Sequence, residues 1–204
     1  MGSTTRTFIA VAVPEALETK LTRLQQQLAA ALPGVRWSAT PPFHVTLAFL
    51  GEVDVADLNQ VCKAVVDEAA AWSPFELKLE GLGVFPSPVH PRVLWTAVAG
   101  SGVEALRALQ KAVAEAVARK NYPSDAKAFH PHVTLGRFPP QKSADPSSMD
   151  HALSHMLGHY KTWHAGPFAV TEAVAFASTT ARDGPAYATL VRAPLRKRKT
   201  GQTP

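Results

Sequence analysis

Apolar residues follow first a strand-like and then a helix-like period along the first half of this chain. A stretch rich in apolar and β-branched residues over 6–13 predicts a buried strand, and leucines spaced by three and four positions over 17–32 predict an amphipathic helix. A second, largely apolar stretch over 43–50 predicts another strand, and helical spacing returns over about 58–69. Apolar and charged residues then alternate over 75–80, which is typical of a half-exposed strand.

Turn and capping residues mark the ends of several elements. A short strand is expected over 35–38, before the second apolar run. Gly51 is expected to close that run, and Asp54 has the right position to cap the helix that follows. Ser101 and Glu104 have the spacing of a capping box for a later helix.

The second half repeats the same series of strands and helices. Its elements are expected over 93–98, 106–117, 129–137, 146–161, 168–176 and 187–191, with Asp145 as the cap of the fourth. Overlaying the two halves at offsets of roughly 85 to 93 residues matches each element with its counterpart. Two copies indicate a duplicated domain rather than a solenoid.

We therefore predict an α/β (α+β) fold, formed as one bilobal domain from two pseudo-twofold repeats. The repeats are expected over about 6–85 and 91–192, joined at the proline-rich stretch 84–91 and followed by a basic, disordered tail over 193–204. Two mostly antiparallel sheets would line a central cleft, with the helices packed outside.

The tetrapeptide His44-Val45-Thr46-Leu47 recurs 88 positions later as His132-Val133-Thr134-Leu135. Alternate side chains of a strand share a face, so each histidine is expected to lie beside the threonine of its own copy. The opposite faces are expected to be buried, and they carry Phe43, Val45, Leu47, Phe49, Val133 and Leu135. A lone His-x-Thr tripeptide is a weak motif, whereas two matched copies favour a catalytic role.

A pseudo-twofold axis would bring His44 and His132 to opposite sides of one cleft. Histidine can be neutral or charged near neutral pH, so one imidazole can accept a proton while the other donates one. This pairing suits in-line displacement at phosphorus, with the hydroxyls of Thr46 and Thr134 on the non-bridging oxygens. The scheme needs no metal and no cofactor.

Composition narrows the class of protein. The chain has 204 residues, 46% of them hydrophobic, which is enough for a sizeable core. The 21 basic and 16 acidic residues give a net charge of +5, which favours anionic ligands. Cys62 has no partner for a disulfide, and the first apolar run is too short to span a membrane. We expect a soluble, cytoplasmic monomer that does not bind membranes.

The two histidine phrases resemble those of the 2H phosphoesterase superfamily, most closely its RNA 2′,3′-cyclic phosphodiesterase (2′-5′ RNA ligase) branch. They read Phe-His-Val-Thr-Leu-Ala-Phe-Leu-Gly from position 43 and Pro-His-Val-Thr-Leu-Gly-Arg from position 131. The resemblance extends over nearly the whole chain. It includes Arg6-Thr-Phe-Ile-Ala, Trp37, Phe85-Pro-Ser-Pro, Pro91-Arg-Val-Leu-Trp, Ser178 and Gly184-Pro-Ala-Tyr187.

The resemblance implies hydrolysis of 2′,3′-cyclic phosphate ends of RNA or oligonucleotides, or of small cyclic nucleotides, to 2′-phosphomonoesters. It implies that His44 is the proton donor to the 3′ oxygen and that His132 is the proton acceptor from water. It also places Arg137 on the phosphate, together with Thr46 and Thr134. Joining of 2′-5′ linkages would be the reverse reaction.

The position of Arg137 raises a question about the second strand. Regular alternation would put Arg137 on the buried face with Val133 and Leu135, and Gly136 or the strand end would have to redirect it. Phe49 holds the aligned place in the first copy. A cation beside His132 alone would favour its neutral form and make it the better base.

Two alternatives stay open at this point. The chain could be a nucleotide-binding or RNA-binding module of the same fold without turnover, or an enzyme that cleaves or joins 2′-5′ oligonucleotides. Binding of a cyclic nucleotide without turnover would favour the first. Both histidines and both threonines are present, which favours an enzyme.

Other residues with metal-binding or RNA-binding chemistry have simpler explanations. His130 aligns with Pro42 and is expected to be exposed. The row His151, His155 and His159 has the spacing of a metal-binding helix face, but a solvated face is the simpler interpretation. His90 and Arg92 are candidates for RNA contact. The four tryptophans are expected in the core, and they are Trp37, Trp72, Trp95 and Trp163.

Overall fold

The computed structural model of the chain describes residues 2–38, 42–124, 128–139, 146–181 and 184–196. The helices in these ranges are α1 (Glu15–Ala29), α2 (Leu58–Ala69), α3 (Val103–Ala118) and α4 (Pro146–His159), with a 3-10 turn at Tyr160–Thr162. The strands are β1 (Thr4–Ala12), β2 (Arg36–Trp37), β3 (His44–Asp54), β4 (Phe75–Phe85), β5 (Val93–Ala99), β6 (His132–Arg137), β7 (His164–Val170), β8 (Glu172–Ala181) and β9 (Gly184–Pro194). None of the described helices is both long and apolar enough to cross a bilayer.

The strands form two antiparallel sheets with the orders β3-β1-β8-β9 and β2-β6-β5-β4-β7. Helices α2 and α3 pack on the four-stranded sheet, whereas α1 and α4 pack on the five-stranded sheet. Strand β3 of one sheet also contacts strand β6 of the other. The predicted mixed fold is therefore confirmed, and the two histidine strands lie where the sheets meet.

The sheets do not coincide with the two halves of the sequence. Strand β4 joins β5 and β6, although it precedes the proline-rich stretch 84–91. Strands β8 and β9, near the end of the chain, join β1 and β3. Each sheet is thus completed by strands from the other half. The internal duplication itself stays a prediction.

The main core contains the apolar faces of both histidine strands. Val45, Leu47, Val133 and Leu135 are buried in one continuous cluster with residues of all four helices. A second, smaller cluster lies on the other face of the four-stranded sheet, and it consists of Phe8, Ala10, Val174 and Phe176 with Tyr187 packed against it. The four-stranded sheet is therefore apolar on both faces.

Several predicted boundaries are wrong because contacts distant in sequence fix them. Gly51 has a φ of 69° but does not end β3, which stays paired with β1 as far as Asp54. Asp54 accepts the N–H of Ala56 in a turn, and Asp57 is the residue that precedes α2. Glu104 lies in the first turn of α3, but the residue at its N-cap is Gly102, without a side-chain cap.

The end of the chain also differs from the prediction. The single strand expected over 168–176 is divided at Thr171 into the end of β7 and the start of β8. Strand β9 continues past 192 to Pro194, and Leu195 is buried in the main core. Asp145, predicted to cap α4, and the tail from 197 onward lie outside the described residues.

Candidate active site

Strands β3 and β6 carry the two histidines in the same local environment. In each strand the histidine and the threonine are half-buried, and the valine between them is buried. The next two residues, Leu47 and Ala48 in β3, are both buried, and the residue after them is exposed. Strand β6 has the same order of burial. Two consecutive buried residues break the alternation of a regular strand.

The break in β3 is a bulge at Leu47. Ala10 of β1 lies opposite Thr46, and the preceding residue Ile9 lies opposite Ala48, so Leu47 has no partner on β1. One extra residue reverses the direction of the following side chains. Phe49 therefore lies on the face of His44 and is 53% exposed. The prediction that Phe49 lies on the buried face is wrong for this reason.

The matching bulge in β6 resolves the direction of Arg137. Trp95 of β5 lies opposite Thr134, and Leu94 lies opposite Gly136, so Leu135 is the extra residue. Arg137 follows the bulge and lies on the same face as His132, exposed to solvent. The regular alternation that would bury Arg137 does not continue past Leu135.

A glutamine from a helix binds each bulge. The Nε2 of Gln25 in α1 donates to the carbonyl oxygens of Leu135 at 2.7 Å and Ser38 at 3.0 Å. The Nε2 of Gln110 in α3 donates to the carbonyl oxygen of Leu47 at 3.1 Å. The two glutamines are 85 positions apart, within the range of offsets of the sequence overlay. Each helix thus holds the histidine strand of the other half.

Both imidazoles are oriented by the same backbone contact. The Nδ1 of His44 lies 2.9 Å from the carbonyl oxygen of Pro42, and the Nδ1 of His132 lies 2.7 Å from the carbonyl oxygen of His130. A carbonyl oxygen only accepts hydrogen bonds, so Nδ1 carries the hydrogen in both rings. The Nε2 atoms are left to exchange protons with a substrate.

Aromatic rings flank each histidine. The ring centroid of His44 lies 4.9 Å from that of Phe8 and 5.5 Å from that of Tyr187, which meets it edge-on. His132 lies 5.0 Å from Phe85, also edge-on, and 6.2 Å from Trp95. These contacts join residues from different strands, so the periodicity of one strand does not predict them.

Trp95 is not part of the main core, in contrast to the prediction. Its ring lies over Gly83 of β4, where an added Cβ would come within 2.2 Å of the indole. Glycine at position 83 is therefore required to bring the indole beside His132. Trp37, Trp72 and Trp163 do pack against the main core, as predicted.

Burial and nearby charges favour the neutral form of both histidines. Burial is the main cause that lowers the pKa of His44, the hydrogen bond with Pro42 opposes it, and a charge on His132 lowers it further. Burial also lowers the pKa of His132, the hydrogen bond with His130 opposes it, and charges on His130 and Arg137 lower it further. The predicted direction of the Arg137 effect on His132 is confirmed. The two imidazoles also act electrostatically on one another.

A family model described as LigT like phosphoesterase matches residues 11–95 and 98–187 of the chain. The chain belongs to the LigT-like phosphoesterase family. An Aquifex aeolicus protein named RNA 2′,3′-cyclic phosphodiesterase is 32% identical over 183 residues, which are 89% of this chain and 93% of the relative. A Methanothermobacter thermautotrophicus protein of the same name is 28% identical over 182 residues, 89% of this chain and 94% of the relative.

Solved structures support the same fold for this LigT-like phosphoesterase. A crystal structure of a Thermus thermophilus protein has a TM-score of 0.74 at 24% identity, covering 95% of this chain and 100% of that one. The crystal structure of Escherichia coli LigT complexed with 3′-AMP has a TM-score of 0.73 at 24% identity, covering 96% and 100%. At this level of identity the likeness shows the fold alone. The resemblance stated from the histidine phrases is confirmed at the level of the family.

Positive charges from both sheets of this LigT-like phosphoesterase act on Tyr187. Burial raises the pKa of Tyr187, while Arg137 of β6 and Arg6 of β1 lower it. The two arginines belong to different sheets, so both contribute positive potential around the phenol. The sequence resemblance names Tyr187, but its contact with His44 depends on the fold.

Of the remaining candidate residues, His130 contributes to the site through its backbone carbonyl, which accepts from His132, and through its charge, which lowers the pKa of His132. His130 is exposed, with its ring 5.9 Å from that of Phe85. His155 and His159 are exposed on α4, and the side chain of His151 lies outside the described part of the chain. Within that part, no group of three or more histidine, cysteine or acidic side chains could hold a metal ion. A surface cavity of about 300 Å³ is lined by residues of β4, the 3-10 turn, Trp163 and β7, and neither the two histidines nor the proposed phosphate ligands line it.

Proposed function

We propose that this LigT-like phosphoesterase is an RNA 2′,3′-cyclic phosphodiesterase that opens cyclic phosphate ends to 2′-phosphomonoesters. The observation that carries the proposal is the matched pair His44 and His132 on adjoining strands, each with Nδ1 held by a backbone carbonyl. The names of the bacterial and archaeal relatives support the substrate class.

The reaction needs one proton to be removed and one to be delivered. Neutral His132 accepts a proton from water through Nε2 as the water oxygen attacks phosphorus. The bond from phosphorus to the 3′ oxygen breaks, and His44, as imidazolium, donates its proton to that oxygen. The products are a free 3′-hydroxyl and a phosphate on the 2′ oxygen. Exchange of protons with solvent restores both histidines.

The assignment of roles rests on the difference between the two strands. Arg137 follows the bulge beside His132, whereas Phe49 occupies the equivalent position beside His44. The positive charge of Arg137 lowers the pKa of His132, which keeps it neutral and available as a base. His44 has no arginine at the matching place, so no such cation opposes the imidazolium form that a proton donor needs.

Thr46, Thr134 and Arg137 are the proposed phosphate ligands. Each threonine lies two residues after its histidine and points to the same face, half-exposed. Their hydroxyls can donate to the non-bridging oxygens, whose charge must be stabilised as the water attacks. The guanidinium of Arg137 adds two donors in a fixed fork that matches a phosphate.

Hydrolysis of an oligoribonucleotide with a 2′,3′-cyclic phosphate end, followed by phosphorus NMR, tests the proposal. A predominant 2′-phosphate is the expected product. A predominant 3′-phosphate would reverse the roles of His44 and His132 and keep the two-histidine mechanism. Tight binding without turnover would identify a binding module instead. Adding an oligonucleotide with a free 5′-hydroxyl tests for 2′-5′ joining, which is the same displacement in reverse.

A further inference from the structure

A second arginine lies directly opposite Arg137 in the five-stranded sheet. Arg36 of β2 pairs with Arg137 of β6, and the next residue, Trp37, pairs with Gly136. Directly paired residues of antiparallel strands project from the same face, with Cβ atoms about 5 Å apart. Trp37 packs against the main core, so Arg36 projects to the opposite face, which carries His132 and Arg137.

The pairing of two arginines is unfavourable unless an anion lies between them. Like charges directly opposite each other in a sheet repel. Other arginines of the sheets have acidic neighbours, since Arg6 lies opposite Glu52 and Arg192 forms an ion pair with Glu172. Among the side chains that the structure describes, no carboxylate forms an ion pair with Arg36 or Arg137. Both arginines are exposed and accessible to a ligand.

Packing fixes the position of strand β2, but it does not require an arginine at position 36, whose side chain is exposed. Strand β2 consists of Arg36 and Trp37 alone, and the indole of Trp37 anchors it. An added Cβ at Gly136 would lie 2.7 Å from Val35 and 3.2 Å from the carbonyl oxygen of Arg36. The glycine therefore allows β2 to approach β6 closely. This approach sets Arg36 beside Arg137 at the outer edge of the sheet.

We propose that Arg36 binds the phosphate on the 5′ side of the terminal nucleotide, so that this enzyme recognises the end of an RNA strand rather than an isolated nucleoside cyclic phosphate. The inference rests on the proposed function. A cyclic phosphate occupies both the 2′ and 3′ oxygens of the last nucleotide, so the strand continues only through its 5′ oxygen. With the reactive phosphate held by Arg137, the adjacent guanidinium of Arg36 meets the next phosphate.

Three substrates separate this contact from those at the reacting phosphorus. They are a nucleoside 2′,3′-cyclic phosphate, the same compound with a 5′-phosphate, and an oligoribonucleotide with the same end. Arg36→Ala is expected to lower kcat/KM about tenfold or more for the two substrates with a 5′-side phosphate, the worth of one hydrogen bond to a charged group. The nucleoside cyclic phosphate should be unaffected. Arg36→Lys should recover part of the loss.

Arg23→Ala is the matched control, because Arg23 is exposed on helix α1, which packs outside the sheet. It should change kcat/KM for none of the substrates. An equal loss on all three substrates in Arg36→Ala would place Arg36 at the reacting phosphate and overturn the proposal. No loss on any substrate would show that Arg36 is only a solvated charge, and would overturn it as well.

Binding measured without turnover separates this proposal from the proposed function. The affinity for a single-stranded oligoribonucleotide is followed by fluorescence anisotropy at several salt concentrations. The slope of log affinity against log salt should fall by about 0.7 in Arg36→Ala, the value for one phosphate contact on a single strand. If the wild type shows no turnover but Arg36→Ala lowers the slope, the phosphate contact of Arg36 is supported and the proposed function is contradicted. If the wild type turns over the substrate and the slope is unchanged in Arg36→Ala, the phosphate contact of Arg36 is contradicted and the proposed function is supported.

Discussion

Gln25 donates its side-chain amide to the carbonyl oxygen of Leu135, at 2.7 Å, across 110 positions of sequence. Leu135 is the bulged residue that turns Arg137 to the face of His132. The same carbonyl oxygen accepts the N–H of Ser38 at 2.9 Å, so the bulge is held both by the residue that follows β2 and by α1. The glutamine therefore acts on the phosphate site without touching a substrate.

Gln25→Leu should lower kcat/KM for a cyclic phosphate end about tenfold, mainly through a higher KM. Leucine keeps the buried volume but removes one of the two hydrogen bonds to the bulged carbonyl, so Arg137 is held less firmly in its direction. Steady-state kinetics measures the effect, and exposed Gln26→Leu on the same helix is the control. In an Arg137→Ala background, Gln25→Leu should cost nothing further, since its effect passes through that side chain. An additive loss would contradict the proposed coupling.

Replacing either His44 or His132 by alanine should lower the rate by roughly 10² to 10⁴, the usual contribution of a positioned acid or base. The double variant should lose less than the product of the two, because the residues act as a unit. His155→Ala, at an exposed position on α4, serves as the control. Activity should persist in excess chelator, and rescue of a chelated enzyme by added metal would contradict a mechanism based on two histidines.

The profile of kcat/KM against pH should be bell-shaped and displaced to the acidic side of the ordinary histidine pKa of about 6.5. With increasing pH, kcat/KM rises as His132 loses its proton and then falls as His44 loses its proton. Both pKa values are lowered in the free protein, mainly by burial, so both limbs move to lower pH. Bound phosphate favours imidazolium, so the kcat profile should lie at higher pH than that of kcat/KM.

Arg137→Ala should raise KM and move the acidic limb of kcat/KM to higher pH. The positive charge of Arg137 lowers the pKa of His132, so its removal makes this histidine harder to deprotonate. Arg137→Lys keeps the positive charge but lacks the two paired donors of the guanidinium. Its acidic limb should therefore lie close to that of the wild type, whereas its KM should stay raised. An unchanged limb in Arg137→Ala would show that the cation does not act on the base.

Gly83→Ala should destabilise the fold by about 1–3 kcal/mol and lower activity, because the new methyl group meets the indole of Trp95. Denaturation by urea measures the free energy of unfolding. Gly158→Ala is the control, since an added Cβ there meets no atom within 4 Å and alanine is favoured in a helix. Equal stability of the two variants would contradict the packing of Trp95 over Gly83.

The alternation of polar and apolar residues predicts correctly which side chains of the histidine strands are buried, as far as the bulges. Beyond each bulge the prediction is wrong for a physical reason. His44, Thr46 and Val45 lie as alternation requires, because the strand is regular over these residues. Phe49 does not, because the bulge depends on the register with β1. In β6, Gly136 directly follows the bulged residue Leu135, and glycine in a strand is a known signal of a bulge or a close approach.

Contacts between residues distant in sequence decide where α3 begins and which aromatic rings contact His132, and the local sequence pattern predicts neither. Ser101 and Glu104 have the spacing of a capping box, yet Gly102 occupies the N-cap and donates its N–H to Glu76 of β4. An added Cβ at Gly102 would lie 2.4 Å from that carbonyl oxygen, so the neighbouring strand sets where α3 begins. The contacts of Phe85 and Trp95 with His132 can be predicted only when the order of strands in the sheet is known.

The exchange of helices between the halves means that neither half is self-sufficient. Cutting the polypeptide over 86–91 would leave His44 on a fragment without Gln110, and His132 on a fragment without Gln25. Each fragment would also lack strands that complete its sheet. Each half therefore supports the reactive imidazole of the other, as the two subunits of an interlocked homodimer would.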